Sequence, residues 1–254
     1  MRAKLLPIII LLFALVGCGT QTQAAQPSAT AVRPSSASLC ASSTWTVPLP
    51  PQVPANASTS QATTSGASVR MKMGPHMRMT AYRKATPTDM QRAQAILHMV
   101  SVCLVKYKDY KLALRDGYQI FTPDVPQDVY HFANLQNFQN AQTRFDPTHP
   151  TALLYKKLES GYQLVGVMFS APADLTEDQL NQLFPQGVAP WHLHVNVCLP
   201  AGDRERVLFQ VGSPFGLDGF ITTEAACKKV GGAFLPQMFG WMVHVSPWGN
   251  VASS

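Results

Sequence analysis

Two stretches of this chain, WHLHVNVC at 191–198 and GWMVHVSPW at 240–248, alternate apolar and polar residues with a period of two. Successive side chains of a strand point to opposite faces, so the pattern predicts a sheet with one face in a core and the other carrying polar groups. On the first stretch Trp191, Leu193, Val195 and Val197 form the apolar face, and His192, His194, Asn196 and Cys198 the opposite one. On the second, Trp241, Val243 and Val245 oppose Met242, His244 and Ser246. Same-face neighbours on a strand lie about 6.7 Å apart, so His192 and His194 reach one ion between them, while Cys198, about 20 Å from His192, does not. Cys198 is therefore read as a disulfide end.

If the two strands are neighbours, His244 supplies a third ligand, and His131 in the extended piece VYHFAN a fourth. Three histidines with an open position describe a catalytic zinc or a redox metal, and four a closed or copper-like site. The expected cofactor is thus a transition metal ion, copper or zinc, on neutral imidazoles. The competing reading is a non-metal binding module of the cell envelope, for a small ligand or a protein partner, in which these histidines and Asn196 only make hydrogen bonds.

The chain of 254 residues opens with Arg2 and Lys4 and an apolar run from Leu5 to Val16, too short to span a bilayer. Leu15-Val16-Gly17-Cys18 looks like a bacterial lipobox, which implies removal of residues 1–17 and lipidation of Cys18. Gly19, where an aspartate would hold such a protein at the inner membrane, favours the outer membrane if the cell is Gram-negative. Residues 18–69 are rich in Ser, Thr, Ala, Gln and Pro and predict a disordered tether; residues 70–254 remain for one globular domain. Beyond residue 17 the chain has 18 Lys+Arg against 14 Asp+Glu and no block of like charge, so the expected partner is the membrane and not nucleic acid. Export makes Cys40, Cys103, Cys198 and Cys227 disulfide candidates with three possible pairings, of which Cys198 with Cys227 is favoured because Cys40 sits in the tether.

Within the domain, Thr86-Pro87-Thr88-Asp89 reads as a helix start with a capping box. Ala93, Ile96, Leu97, Val100, Cys103 and Leu104 recur at helical spacing, and the helix is expected to run, with a break near Lys108, to Asp116. TALLYKK and YQLVGVMFSA read as a hairpin, VLFQVG as a further strand, and Thr176 and Thr222 or Thr223 as starts of short helices. The expected fold class is α+β, a mostly antiparallel sheet with a long N-terminal helix and short flanking helices.

MKMGPHMRMT crowds Met71, Met73, Met77 and Met79 around His76, a cluster that suggests cuprous copper, though core packing is the favoured reading. His98 and His149 are read as structural or exposed. No nucleophile elbow, phosphate loop, CxxC or HExxH occurs, and no general base stands out, so enzyme or carrier stays open.

The series DGYQIF, VYHFAN, FDPTHPTALLYKK, YQLVGVMFSAP and WHLHVNVC, residues 116 to 198, resembles a group of uncharacterised exported microbial proteins sharing GY, H-x-x-N, D-P-x-x-P-x-x-L-x-Y and LVGV-x-Y motifs followed by histidine. Phe169 stands where that pattern has tyrosine. The resemblance implies no activity, but it places His131, Asn134 and the histidines of WHLHVN in one site, with Asn134 and Asn196 as supporting residues.

Overall fold

The computed structural model describes residues 36–41, 46–49, 74–202 and 204–248. The segment 1–17, Cys18 and most of the 18–69 segment lie outside the described residues, as do Met71 and Met73. In chain order the helices are α1 (Ser36–Ala41), α2 (Pro87–Cys103), α3 (Tyr110–Arg115), α4 (Leu135–Asn140), α5 (Glu177–Leu183), α6 (Arg204–Val207) and α7 (Glu224–Lys229). The strands are β1 (Val47–Pro48), β2 (Met77–Met79), β3 (Gln119–Ile120), β4 (Tyr130–Ala133), β5 (Arg144–Phe145), β6 (Ala152–Leu158), β7 (Gly161–Ala171), β8 (His192–Leu199) and β9 (Ala233–Val245).

Seven strands form one sheet in the order β2-β8-β9-β7-β6-β4-β3, and β1 pairs with β5; every described pairing is antiparallel. The expectation of an α+β fold with a long N-terminal helix is overturned. The helical segment ends at Cys103, passes through a 3-10 turn at Val105–Lys108, and restarts as α3. Asp109 makes the break: its backbone is extended (φ −84, ψ 98) and its carboxylate caps the new helix by accepting from Lys111 N. Among the described helices only α2 and α5 reach seven residues, so the fold is an antiparallel sheet with short helices. VLFQVG is likewise no strand; it follows α6 as a turn. β8 lies between β2 and β9, and β9 between β8 and β7, so those strands offer it no free edge.

The period-two reading does fix which side of the sheet is core. Trp241, Val243 and Val245 of β9, Leu193 of β8, Val167 and Phe169 of β7 and Phe132 of β4 join one cluster with Ala93, Ile96 and Val100 of α2. At about 25 cal/mol per Å², burial of these side chains is the main force docking the helix on that face. Trp191 completes it, fully buried with its indole N–H donating to Phe184 O at 3.0 Å. The α2 start is a reciprocal capping box: Asp89 N donates to Thr86 Oγ1 (3.1 Å) and Thr86 N to an Asp89 carboxylate oxygen (3.0 Å). That bond from the Thr86 backbone holds the Asp89 pKa below its ordinary value. Thr86→Ala is expected to cost about 1 kcal/mol, measured by urea unfolding at pH 7.

Among the described residues two disulfides are present. Cys198 joins Cys227, as expected, and Cys40 joins Cys103, tying α1 to the end of α2. The short pieces 36–41 and 46–49, inside the segment expected as a tether, therefore touch the domain, and Leu49 packs against the main core.

Candidate functional site

The sheet face opposite the main core forms the floor of a cavity of about 670 Å³. His131 on β4, His192 and His194 on β8 and His244 on β9 all line it. Their rings touch in a row. His131 and His244 have centroids 5.2 Å apart with Nε2 to Nε2 at 3.4 Å, His244 and His192 are 4.9 Å apart, and His192 and His194 5.5 Å apart. Sheet order explains the closeness of three of them: β8 and β9 are neighbours, and His192 pairs with Met242, two residues from His244. His131 reaches the row from β4, beyond β6 and β7.

His192 and His244 are buried, and His131 and His194 partly so. Loss of hydration disfavours the imidazolium, and burial therefore holds the pKa of His131 and of His194 down to about 4 and keeps those of His192 and His244 well below the ordinary value. The backbone of Val129 near His131 and of Met242 near His192 pulls the other way without overcoming burial. At neutral pH all four rings are uncharged, the form that coordinates metals.

The fit of these residues to a metal rests on two features. Two imidazoles on one ion at tetrahedral angle, with bonds of about 2.0–2.1 Å, have donor nitrogens about 3.4 Å apart, the separation found between His131 and His244. The Nδ1 atom of His192 is buried without a hydrogen-bond partner, a ring nitrogen that a bound ion would engage. Against this, among the described residues no group of three or more His, Cys, Asp or Glu side chains is arranged to hold an ion. A row of rings encloses no central point, which is the geometric reason.

The remaining candidates separate. His76 lines the cavity, but its ring is occupied by backbone carbonyls, Nδ1 at 3.2 Å from Val195 O and Nε2 at 2.9 Å from Gly219 O. Met77 lines the cavity; Met79 is buried opposite His192. Asn134 is at the rim with its side chain engaged, Oδ1 capping α4 by accepting from Asn137 N and Nδ2 donating to Asp116 O. Asn196 is corrected as a supporting residue: it is exposed and not in the lining. Its left-handed backbone (φ 56) slips the alternation of β8 by one. Val197 and Leu199 thus pack with Phe121, Phe209 and Leu217, the last three being cavity walls, and Cys198 does not share the histidine face. The Asp-Pro-Thr-His-Pro motif is structural: Asp146 bonds Thr148 and the exposed His149, and Pro150 O accepts from Tyr118 and Asn137.

Sequence reasoning missed the walls. Phe121 meets Phe209 and Phe239 edge-on at 5.9 and 6.0 Å, and Val211 and Phe239 are exposed at the rim. Phe239 (φ 63) and Gly240 (φ 76), both left-handed, sit at a register irregularity within β9, so that His192 pairs with Met242 but His194 with Met238. Only glycine fits at 240, since a Cβ there would lie 2.5 Å from Ala171 O.

Fold and site together define a class, an antiparallel-sheet protein with a histidine-floored apolar cavity. No known family, curated protein or solved structure matches this chain.

Proposed function

We propose that this chain is an exported, lipid-anchored protein of the bacterial cell envelope that binds a transition metal ion, copper or zinc, through His131, His192, His194 and His244. The observation that carries the reading is the row of four uncharged rings with the His131 and His244 donor nitrogens at 3.4 Å. The lipobox-like segment ending in Cys18 and the two disulfides, which belong to oxidising compartments, support export. The cavity above the rings leaves room for a second molecule beside the ion, as either metal delivery or metal-dependent chemistry requires.

A second reading, a non-metal small-ligand module, is favoured by the apolar walls, by a volume within the roughly 300–1,000 Å³ usual for ligand pockets, and by the lack of a formed three-donor group among the described residues. The full chain, purified in mild detergent without chelator and reloaded with Cu or Zn, decides between them by elemental mass spectrometry. The metal reading expects about one ion per chain, lost in His192→Ala plus His244→Ala. A native chain that retains no ion after reloading refutes it and leaves the second reading.

A further inference from the structure

Resting on the metal reading, we infer that the ion is cuprous copper and that thioether sulfurs of Met77, Met168 and Met242 help to hold it. Sheet register brings these methionines to the histidines. Met77 is the direct cross-strand partner of His194, Met168 of His244 and Met242 of His192. Directly opposed residues share a face with Cβ atoms about 4.5–5.5 Å apart, within the reach of a three-torsion side chain. All three line the same cavity as the rings. His192, His194 and His244 thus each face a cavity-lining methionine across the register, whereas His131 faces Leu154.

Donor chemistry and charge select the metal. Imidazole with thioether is a soft set, matched to Cu(I) and poor for hard cations. Thioether sulfur also stays a ligand in an oxidising compartment, where these cysteines are consumed in disulfides. Every donor in the row is neutral. The cost of placing an ion in a desolvated site grows with the square of its charge, so a divalent ion without a carboxylate or thiolate beside it pays about four times the penalty of a monovalent one. Asp128 and Asp218 also line the cavity, but neither is the cross-strand partner of a row histidine, a place the methionines take. With neutral partners nearest the rings, Cu(I) needs less compensating charge than Zn(II) or Cu(II).

Register supplies a control as well. Met79 and Met238 are also cross-strand partners, of His192 and His194, but neither lines the cavity. Leucine conserves the volume of methionine and removes the sulfur, so folding is little disturbed. The test titrates Cu(I) into the full chain against bicinchoninate, anaerobically with ascorbate, and Zn(II) in parallel. Met77→Leu plus Met168→Leu plus Met242→Leu is expected to weaken Cu(I) binding roughly 10- to 100-fold and leave Zn(II) unchanged, while Met79→Leu plus Met238→Leu alters neither. Equal Cu(I) affinity in the triple variant and the native chain overturns the inference. So does a native chain that takes Zn(II) but not Cu(I), and the metal reading survives both. A native chain that takes no metal removes the reading on which the inference rests. If the triple variant does not fold, X-ray absorption of the Cu(I)-loaded native chain decides: sulfur scattering at the copper supports the inference, and nitrogen alone overturns it.

Discussion

Lowering the pH of the metal-free protein from 7.5 to 5.5 is expected to cost about 3 kcal/mol of folding stability through His131 and His194, with His192 and His244 adding to the loss. The cause is the row of histidines. Burial depresses all four pKa values, to about 4 for His131 and His194 and well below the ordinary 6.5 for His192 and His244. The sign follows from comparing states. Above pH 6.5 each ring is neutral both folded and unfolded and pH has no effect. Between 6.5 and about 4 the unfolded chain binds a proton that the folded chain refuses, so stability falls with falling pH by up to about 1.4 kcal/mol per pH unit for each histidine. One unit below 6.5, His131 and His194 together give about 3 kcal/mol, a large share of the stability of many domains, and His192 and His244 act in the same direction. Urea unfolding at pH 7.5, 6.5 and 5.5 measures the loss, and an unfolding free energy constant across that range would show that the rings are not held neutral. His244→Gln removes one proton from the uptake and should make the slope shallower.

The same buried histidines show what a single sequence can and cannot announce. Alternation in WHLHVNVC and GWMVHVSPW assigns Trp191, Leu193, Trp241, Val243 and Val245 to the core, and they are there. The signal holds because a one-residue slip would turn every apolar side chain outward. It fails at Asn196, where a left-handed backbone that asparagine tolerates shifts the phase while the β8–β9 register runs on unbroken, and nothing local marks the residue. The long helix was overread for a related reason. The expected break near Lys108 is there, where Asp109 caps α3, but apolar spacing continues past Cys103 and hides the earlier end of α2 at Leu104. His131 was legible only as a candidate, since its place in the row depends on strand order. Alternation puts Met242 on the face of His244, but its pairing with His192, like that of Met168 with His244, is invisible in the sequence, because cross-strand register is long-range information. Met77 stood out in its local cluster for a reason that proved secondary to its position opposite His194.

Removing the Cys198–Cys227 disulfide, as Cys198→Ala plus Cys227→Ala, is expected to cost about 3–4 kcal/mol, or roughly 8–14 °C in melting temperature. The bridge closes a loop of sequence separation 29, for which loss of unfolded-chain entropy gives about 3.5 kcal/mol. Both sulfurs are buried, and Gly232 packs on them so closely that a Cβ there would lie 2.6 Å from one and 2.8 Å from the other. The helix it holds, α7, has six residues and does not persist without tertiary anchorage. The loop between the two cysteines carries Phe209, Val211 and Leu217 of the cavity wall, so the bridge fixes the site as well as the fold. Cys40–Cys103 closes a longer loop of separation 63 and is worth about 4 kcal/mol on the same grounds, but its sulfurs are only partly buried. Mild reductant should therefore open Cys40–Cys103 first and leave the histidine row intact, while the Cys198 and Cys227 variant loosens the wall beside it. Mass spectrometry of alkylated samples gives the order of opening, and amide exchange over residues 204–232 reports the wall. Opening of Cys198–Cys227 first, or an unfolding free energy within about 1 kcal/mol of native in its double variant, would contradict the buried, site-fixing role assigned to that bridge.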